Sequence, residues 1–323
     1  MKITVLSGGV GGARFLRGLR DLVRAERPER SEPDELTAIV NVGDDIWLTG
    51  LRIAPDLDSV MYTLAGQNDE ARGWGRLDET ERVSGELRAY GVGWDWFTLG
   101  DLDNGTHITR THYLRSGMPL SEATRRIAGR WDLGVTLIPA TDDEVETHVR
   151  VDGGSMHFQE WWTRHRASIP ALAFEHRGAD AATPAPGVLD AIESADVVVL
   201  APSNPVVSIA PILAIPGIRA ALSASSAPVV GVSPIISGAV VRGMADACLA
   251  AIGVDTAADA VARHYGADIL DGWLIDESDA ALAPQIETAG IAASVVPLWM
   301  RDPATSMQLA RDTLALAARL GRG

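Results

Sequence analysis

The first nineteen residues constrain this chain more than any other stretch. Ile3, Thr4, Val5 and Leu6 form a short apolar run of strand character, and Ser7-Gly8-Gly9-Val10-Gly11-Gly12 follows. Helical spacing then begins at Ala13, with Phe15, Leu16 and Leu19 on one face. A strand that breaks through glycines into a helix leaves unpaired backbone N–H groups aimed at one spot, backed by the positive end of the helix. Such a spot suits a phosphate. Four glycines in the five residues 8–12 permit positive φ and close approach of the backbone to an anion. The turn is not a dinucleotide fingerprint, because Arg14 stands where the third glycine of G-x-G-x-x-G would fall. It is not a Walker loop either, since no Gly-Lys-Ser/Thr follows. A tight strand–helix turn of any α/β protein uses the same residues, but the glycine density favours an anion site of another kind.

Composition sets the bounds. A chain of 323 residues that is 46% hydrophobic can bury one large core or two smaller ones. A net charge of −15 argues against a broad nucleic-acid or anionic-membrane surface. The apolar runs are of strand length and broken by Pro, Ser or Gly, which excludes a helical membrane span, and the amino end reads as a strand rather than a signal peptide. A cytoplasmic location is expected. Cys248 is alone, so neither a disulfide framework nor a cysteine zinc site can form, and its apolar neighbours place it on a buried helix.

Strand and helix patterns alternate along the chain. Glu26 to Glu35 reads as a charged, proline-marked loop and Leu36 to Asn41 as a second strand ending at Gly43-Asp44-Asp45. A helix over Ser59 to Ala65 is expected with Asp56 or Asp58 as its cap, and another over Ser84 to Tyr90. Trp96 to Leu99 reads as a short strand, followed by helices over Thr106 to Ser116 and Leu120 to Arg130, the latter capped by Ser121. Val135 to Pro139 is a strand, and Thr147 to Val151 with Met156 to Phe158 forms a hairpin around Asp152-Gly153-Gly154. Ala195 to Leu200 is wholly apolar, as a central parallel strand would be. Ala227 to Val232, Ile269 to Ile275 and Ala292 to Val296 add further strands before a closing helix from Ala304 to Leu320. The pattern predicts one large α/β domain over residues 1–323. Its sheet is doubly wound, mostly parallel and Rossmann-like, with residues 101–170 as an inserted helical and hairpin layer.

Ligands of such sheets bind at the carboxyl ends of the strands. Those ends carry glycines, small hydroxyl residues and paired acids: Asp44/Asp45, Asp56/Asp58 and Asp101/Asp103. Six carboxylates around one crevice repel one another unless a cation intervenes, and oxygen donors without His or Cys companions point to magnesium or calcium rather than zinc. Loop turns and helix caps use Asp as well. Pro202-Ser203-Asn204-Pro205, with Ser208 beyond, places hydroxyls and an amide on a loop stiffened by proline. His107 and His157 are acid/base candidates that can equally be structural. Nine tryptophans, among them Trp94, Trp96, Trp161 and Trp162, offer flat surfaces or core volume.

Seven motifs in order make the chain resemble the 2-phospho-L-lactate transferase family of coenzyme F420 biosynthesis. They are Ser7-Gly-Gly-Val-Gly-Gly, Asn41-Val-Gly-Asp-Asp-Ile-Trp47, Pro55-Asp-Leu-Asp58, Leu99-Gly-Asp-Leu-Asp-Asn-Gly-Thr-His107, His157-Phe-Gln-Glu-Trp-Trp162, Pro202-Ser-Asn-Pro-Val-Val-Ser208 and Ser233-Pro-Ile-Ile236. The resemblance implies transfer of a phosphoenolpyruvyl or 2-phospho-L-lactyl group from its guanosine diphosphate ester (EPPG or LPPG) to the deazaflavin Fo, with GMP leaving. Mg²⁺ and a homodimer are implied with it. The diphosphate would lie on Gly8, Gly9, Val10, Gly11 and Gly12. Asp45 and Asp58 would be catalytic and, with Asp44, would hold the metal, with Asp56 in support. Pro202, Ser203, Asn204 and Ser208 would take the guanosine side, and His107 would join the substrate site. At Thr98 some family members carry a basic residue, so that here a substrate contact is either missing or supplied by an arginine such as Arg110. The residues leave open whether the acid is lactate or enolpyruvate. A non-catalytic nucleotide-sugar-binding regulator of the wider superfamily is the alternative; it would keep the glycine turn without needing the acid pairs.

Overall fold

The computed structural model describes residues 1–26 and 34–321. Most of the expected 26–35 loop, residues 27–33, therefore lies outside the described residues. The strands are β1 (Lys2–Ser7), β2 (Glu35–Val40), β3 (Ile46–Leu48), β4 (Leu51–Ile53), β5 (Thr136–Pro139), β6 (Glu146–Val151) and β7 (Gly154–His157). They continue with β8 (Ala173–Arg177), β9 (Val197–Leu200), β10 (Val229–Val232), β11 (Ile235–Ile236), β12 (Ala239–Val240), β13 (Gly272–Ile275) and β14 (Ala292–Val295). The first five helices are α1 (Gly9–Glu26), α2 (Pro55–Leu64), α3 (Arg82–Ala89), α4 (Asp101–Arg115) and α5 (Leu120–Ala128), and a helix over Pro303–Leu320 closes the chain.

Seven strands form one sheet in the order β14-β13-β10-β9-β1-β2-β5, with every neighbouring pair parallel. The sheet is thus an α/β, doubly wound, Rossmann-like one, and wholly rather than mostly parallel. Its inner strands are apolar because both faces are covered: every residue of β9, β10 and β13 is buried. Strand order reverses beside β1, with β2 on one side and β9 on the other, so the glycine turn after β1 and the Pro202 loop after β9 flank the switch point. That is where an open α/β sheet forms its ligand crevice. Within residues 101–170, α4 and α5 pack together and β6 pairs with β7, but β6 also pairs with β8 beyond that span and β5 is an edge strand of the central sheet.

Local chemistry moved several boundaries. Residues 96–99 are not a strand: Leu99 N–H and C=O both bond the Ser84 hydroxyl, at 3.2 and 2.7 Å, in place of a neighbouring strand. Helix α4 begins at Asp101, five residues before the expected start, because the Glu79 carboxylate accepts the Asp103 N–H at 3.0 Å and so caps its first turn. Asp56 and Asp58 are not caps. Helix α2 starts on Pro55, whose fixed φ suits the first helical position, and both acids lie inside the first turn. Ser121 does not cap α5 either; its hydroxyl and N–H bond Asp142.

Candidate active site

A cleft of about 1060 Å³ opens at the switch point. One wall is the glycine turn. Gly9 has φ +63, the left-handed conformation that starts α1 without a side-chain cap. A Cβ on Gly11 would lie 2.4 Å from the Pro202 carbonyl oxygen, so the two loops touch through bare backbone. Ser203 completes the join, with its hydroxyl donating to Gly8 C=O at 2.7 Å and accepting the Gly8 N–H at 3.2 Å. The Gly8 N–H is taken by Ser203 and the Gly9 N–H by Asp56, while Val10 and Gly11, whose first-turn amides have no acceptor within the helix, also line the cleft. Gly12 lies deeper, behind this surface.

The floor is acidic. Asp44, Asp56 and Asp58 line the cleft, although each is almost fully buried. Asn41, at the end of β2, ties two of them together: its Nδ2 lies 3.3 Å from Asp44 Oδ1 and 2.9 Å from Asp56 Oδ2. Gln159 donates to the other Asp44 oxygen at 3.2 Å. Burial, with the Asp56 charge next to it, pushes Asp44 well above the usual carboxylate range. Burial also raises Asp56 to about 6, against the lowering effect of its bonds from Asn41 and the Gly9 N–H. Asp45 is placed differently. Its side chain is wholly buried behind the floor, neither oxygen is hydrogen-bonded, and Arg52 Nη2 lies 3.6 Å away. Burial raises it to about 7, with Arg52 pulling the other way.

Asp58 meets a seam of charged groups from α4. Arg110 grips both its oxygens, through Nη2 on Oδ1 and through Nη1 on Oδ2 at 3.0 Å. His107 Nδ1 lies 3.5 Å from Asp58 and its Nε2 lies 3.2 Å from Asp103. Arg110 therefore does not replace a base at Thr98. Thr98 and His107 line the cleft, but Arg110 is 1% exposed and committed to Asp58. The guanidinium side chains that border the cleft are Arg14, Arg72, Arg242 and Arg301. Among the described residues, the cluster whose donor atoms lie within 4.8 Å of one another is Asp58, Asp103 and His107, so Asp44, Asp45 and Asp58 do not converge on one point.

The Pro202 loop is brought to the cleft as expected: Pro202, Ser203, Asn204 and Ser208 all line it. The Asn204 side chain is partly spent on local structure, accepting from Val206 and Val207 N–H at 2.9 and 3.3 Å. The facing wall is aromatic, with Trp74, Trp96, Phe97 and Trp162 along it. Trp94 stacks on Trp96 at 4.7 Å, and the adjacent Trp161 is a core residue bonded to Ile169 C=O at 2.7 Å. His157 is structural. Its Nδ1 accepts the Gln159 N–H at 3.0 Å, so the neutral ring carries its proton on Nε2, 3.3 Å from Asp45 C=O, and burial lowers its pKa to about 4. Burial pushes the Cys248 thiol up to about 12, which removes it as a nucleophile. The residues that sequence reasoning passed over are Asn41, Tyr62 and Gln159. Only the position of Asn41 at a strand end could have marked one of them.

No helix among the described residues is long and apolar enough to cross a membrane. Residues 3–295 match the family model described as 2-phospho-L-lactate transferase CofD. A protein of Thermobifida fusca (strain YX) named phosphoenolpyruvate transferase is 56% identical over 99% of both chains. A protein of the same name from Mycobacterium sp. (strain JLS) is 54% identical over 98% of this chain and 99% of its own. A crystal structure from Bacillus halodurans shares the fold, with a TM-score of 0.63 at 20% identity over 97% of this chain and 99% of that one. With the glycine turn, the acidic floor and the Pro202 loop joined at one cleft, the chain belongs to the 2-phospho-L-lactate transferase CofD family and is a transferase.

Proposed function

We propose that the chain transfers a phosphoenolpyruvyl or 2-phospho-L-lactyl group from EPPG or LPPG to the deazaflavin Fo, giving dehydro-F420-0 or F420-0 and GMP in coenzyme F420 biosynthesis. The observation that carries the reading is the juxtaposition in one cleft of an anion-binding glycine turn, an acidic floor and an aromatic wall. The cleft lies at the upper end of the range of about 300–1,000 Å³ that ligand pockets span, which leaves room for two substrates side by side. The name carried by the relatives favours phosphoenolpyruvyl as the group moved.

In this reading the first-turn amides of α1 hold the diphosphate, and Ser203 keeps that turn against the Pro202 loop. Asp58 accepts the hydrogen bond of the Fo ribitol hydroxyl, and Arg110 fixes the plane of its carboxylate. The hydroxyl oxygen forms the new bond to the phosphorus nearer the three-carbon acid. The bond from that phosphorus to the bridging oxygen breaks, GMP leaves with the oxygen, and the hydroxyl proton passes to the acidic floor. Asp44 and Asp56, two hard oxygen donors drawn together by the Asn41 amide at the floor of the cleft, would hold Mg²⁺. Bound there, Mg²⁺ would neutralise the charge that builds on the leaving GMP. Asp45, held on Arg52, would support this arrangement from behind.

Titration with Fo, followed by its absorbance and fluorescence, tests the reading. Saturable binding that tightens with Mg²⁺ or a guanosine diphosphate is expected. Tight binding of a nucleotide sugar with no Fo binding would favour the regulator instead.

A further inference from the structure

Helices α2 and α4 meet along a seam that apolar packing would make more stable than the groups found there. Asp58 and Tyr62 stand one turn apart on α2, while Asp103, His107 and Arg110 share one face of α4. All five are buried, with His107 and Arg110 only 1% exposed. Taking such groups out of water is costly, and ion pairs of this kind seldom repay it in stability alone. The seam has a direction. The Tyr62 ring is held at 5.5 Å by the Arg76 guanidinium and edge-on at 6.3 Å by Trp131. Its hydroxyl donates to Asp103 Oδ1 at 2.7 Å, and the other Asp103 oxygen faces His107 Nε2 at 3.2 Å. The opposite ring nitrogen faces Asp58 at 3.5 Å and Arg110 Nη1 at 3.3 Å. Asp58, Tyr62, Asp103 and His107 all border the cleft, and the chain of contacts ends on Asp58.

We propose that Tyr62 and Asp103 are positioning residues, which act through His107 to hold Asp58 in the one orientation that suits its substrate. This rests on the transferase reading, in which Asp58 receives the acceptor hydroxyl. Loss of Tyr62 or Asp103 lets the His107 ring turn and Asp58 rotate about its grip on Arg110, and small misplacements of a positioning group cost rate rather than affinity.

Tyr62→Phe removes one hydroxyl and keeps the ring between Arg76 and Trp131, so the fold is retained; Asp103→Asn keeps the shape of the side chain. Steady-state kinetics with Fo, EPPG and Mg²⁺ are expected to show kcat lowered about ten- to a hundredfold in each variant, with KM for Fo within about twofold. Placed in an Asp58→Asn background, Tyr62→Phe is expected to have no further effect, since its target is gone. Unchanged kcat in both single variants would overturn the proposal. So would an equal loss with and without Asp58, which would make the role a structural one. Absence of transfer by the wild-type protein would instead overturn the transferase reading, and the proposal with it.

Discussion

At the scale of single residues, two neighbouring acids on α2 have opposite consequences for stability. Asp56 is a buried carboxylate raised to about 6, held by an amide and a backbone N–H rather than by a cation. Asp56→Asn removes a charge that costs free energy to bury, so at pH 8 without metal its Tm is expected to equal or exceed that of the wild type while turnover is lost. Asp58→Asn lowers turnover to a measurable residual rate but leaves Arg110 buried and without its ion pair, at a cost of the order of 3–5 kcal/mol. Urea unfolding of the two variants checks both signs. A rise in stability with loss of activity is what a site maintained for function shows. Asp45 gives the third expectation. Its folded-state pKa, about 7, lies above its unfolded value, so its contribution to stability is present below about pH 4 and lost as pH rises through 7. Stability measured against pH in EDTA is expected to fall less steeply over that window in Asp45→Asn than in the wild type, by up to about 1.4 kcal/mol per pH unit.

At the scale of elements, the glycine turn and the Pro202 loop act as one unit. Gly11→Ala sets a methyl group 2.4 Å from the Pro202 carbonyl and must push the loops apart. A loss of about 1–3 kcal/mol in stability and weaker binding of a guanosine diphosphate are expected from thermal unfolding and calorimetry. This unit was legible in the sequence because its signals are local: an apolar strand, glycines, then helical spacing. Strand β9 was legible for the same reason, as a wholly apolar run between punctuating residues. The start of α4 was not, because its cap is Glu79, 24 residues upstream of the Asp103 N–H that it accepts, while a strand-like run at 96–99 is satisfied by the Ser84 hydroxyl. Arg110 was placed at the substrate because its partner on α2 is 52 residues away, and no helical or strand period reports a contact of that span. The acid pairs at 44/45 and 56/58 were visible as pairs, but the division of labour within each was not. Adjacent acids point in different directions, and only the fold shows that Asp44 faces the cleft while Asp45 faces Arg52.

At the scale of the whole molecule, seven parallel strands bring loops from residues 8 to 12, 41 to 45 and 202 to 208 to one end of the sheet. The long excursion between β4 and β5 then supplies Trp74, Trp96, Phe97 and the α4 seam, while Trp162 comes from beyond β7. On the proposed reading, Fo lies against the aromatic residues of the excursion and the guanosine diphosphate against the glycine turn and the Pro202 loop. Trp96→Ala is therefore expected to weaken Fo binding at least about tenfold by fluorescence while leaving the affinity for a guanosine diphosphate within about twofold.

The most direct test of the account is the reaction itself: purified protein incubated with Fo, EPPG and Mg²⁺, with products followed by mass spectrometry. Dehydro-F420-0 and GMP are expected in equal amounts, with formation abolished by EDTA and by Asp56→Asn in a protein that remains folded. Persistence of unreacted Fo with the wild-type protein, or full turnover by Asp56→Asn, would contradict it.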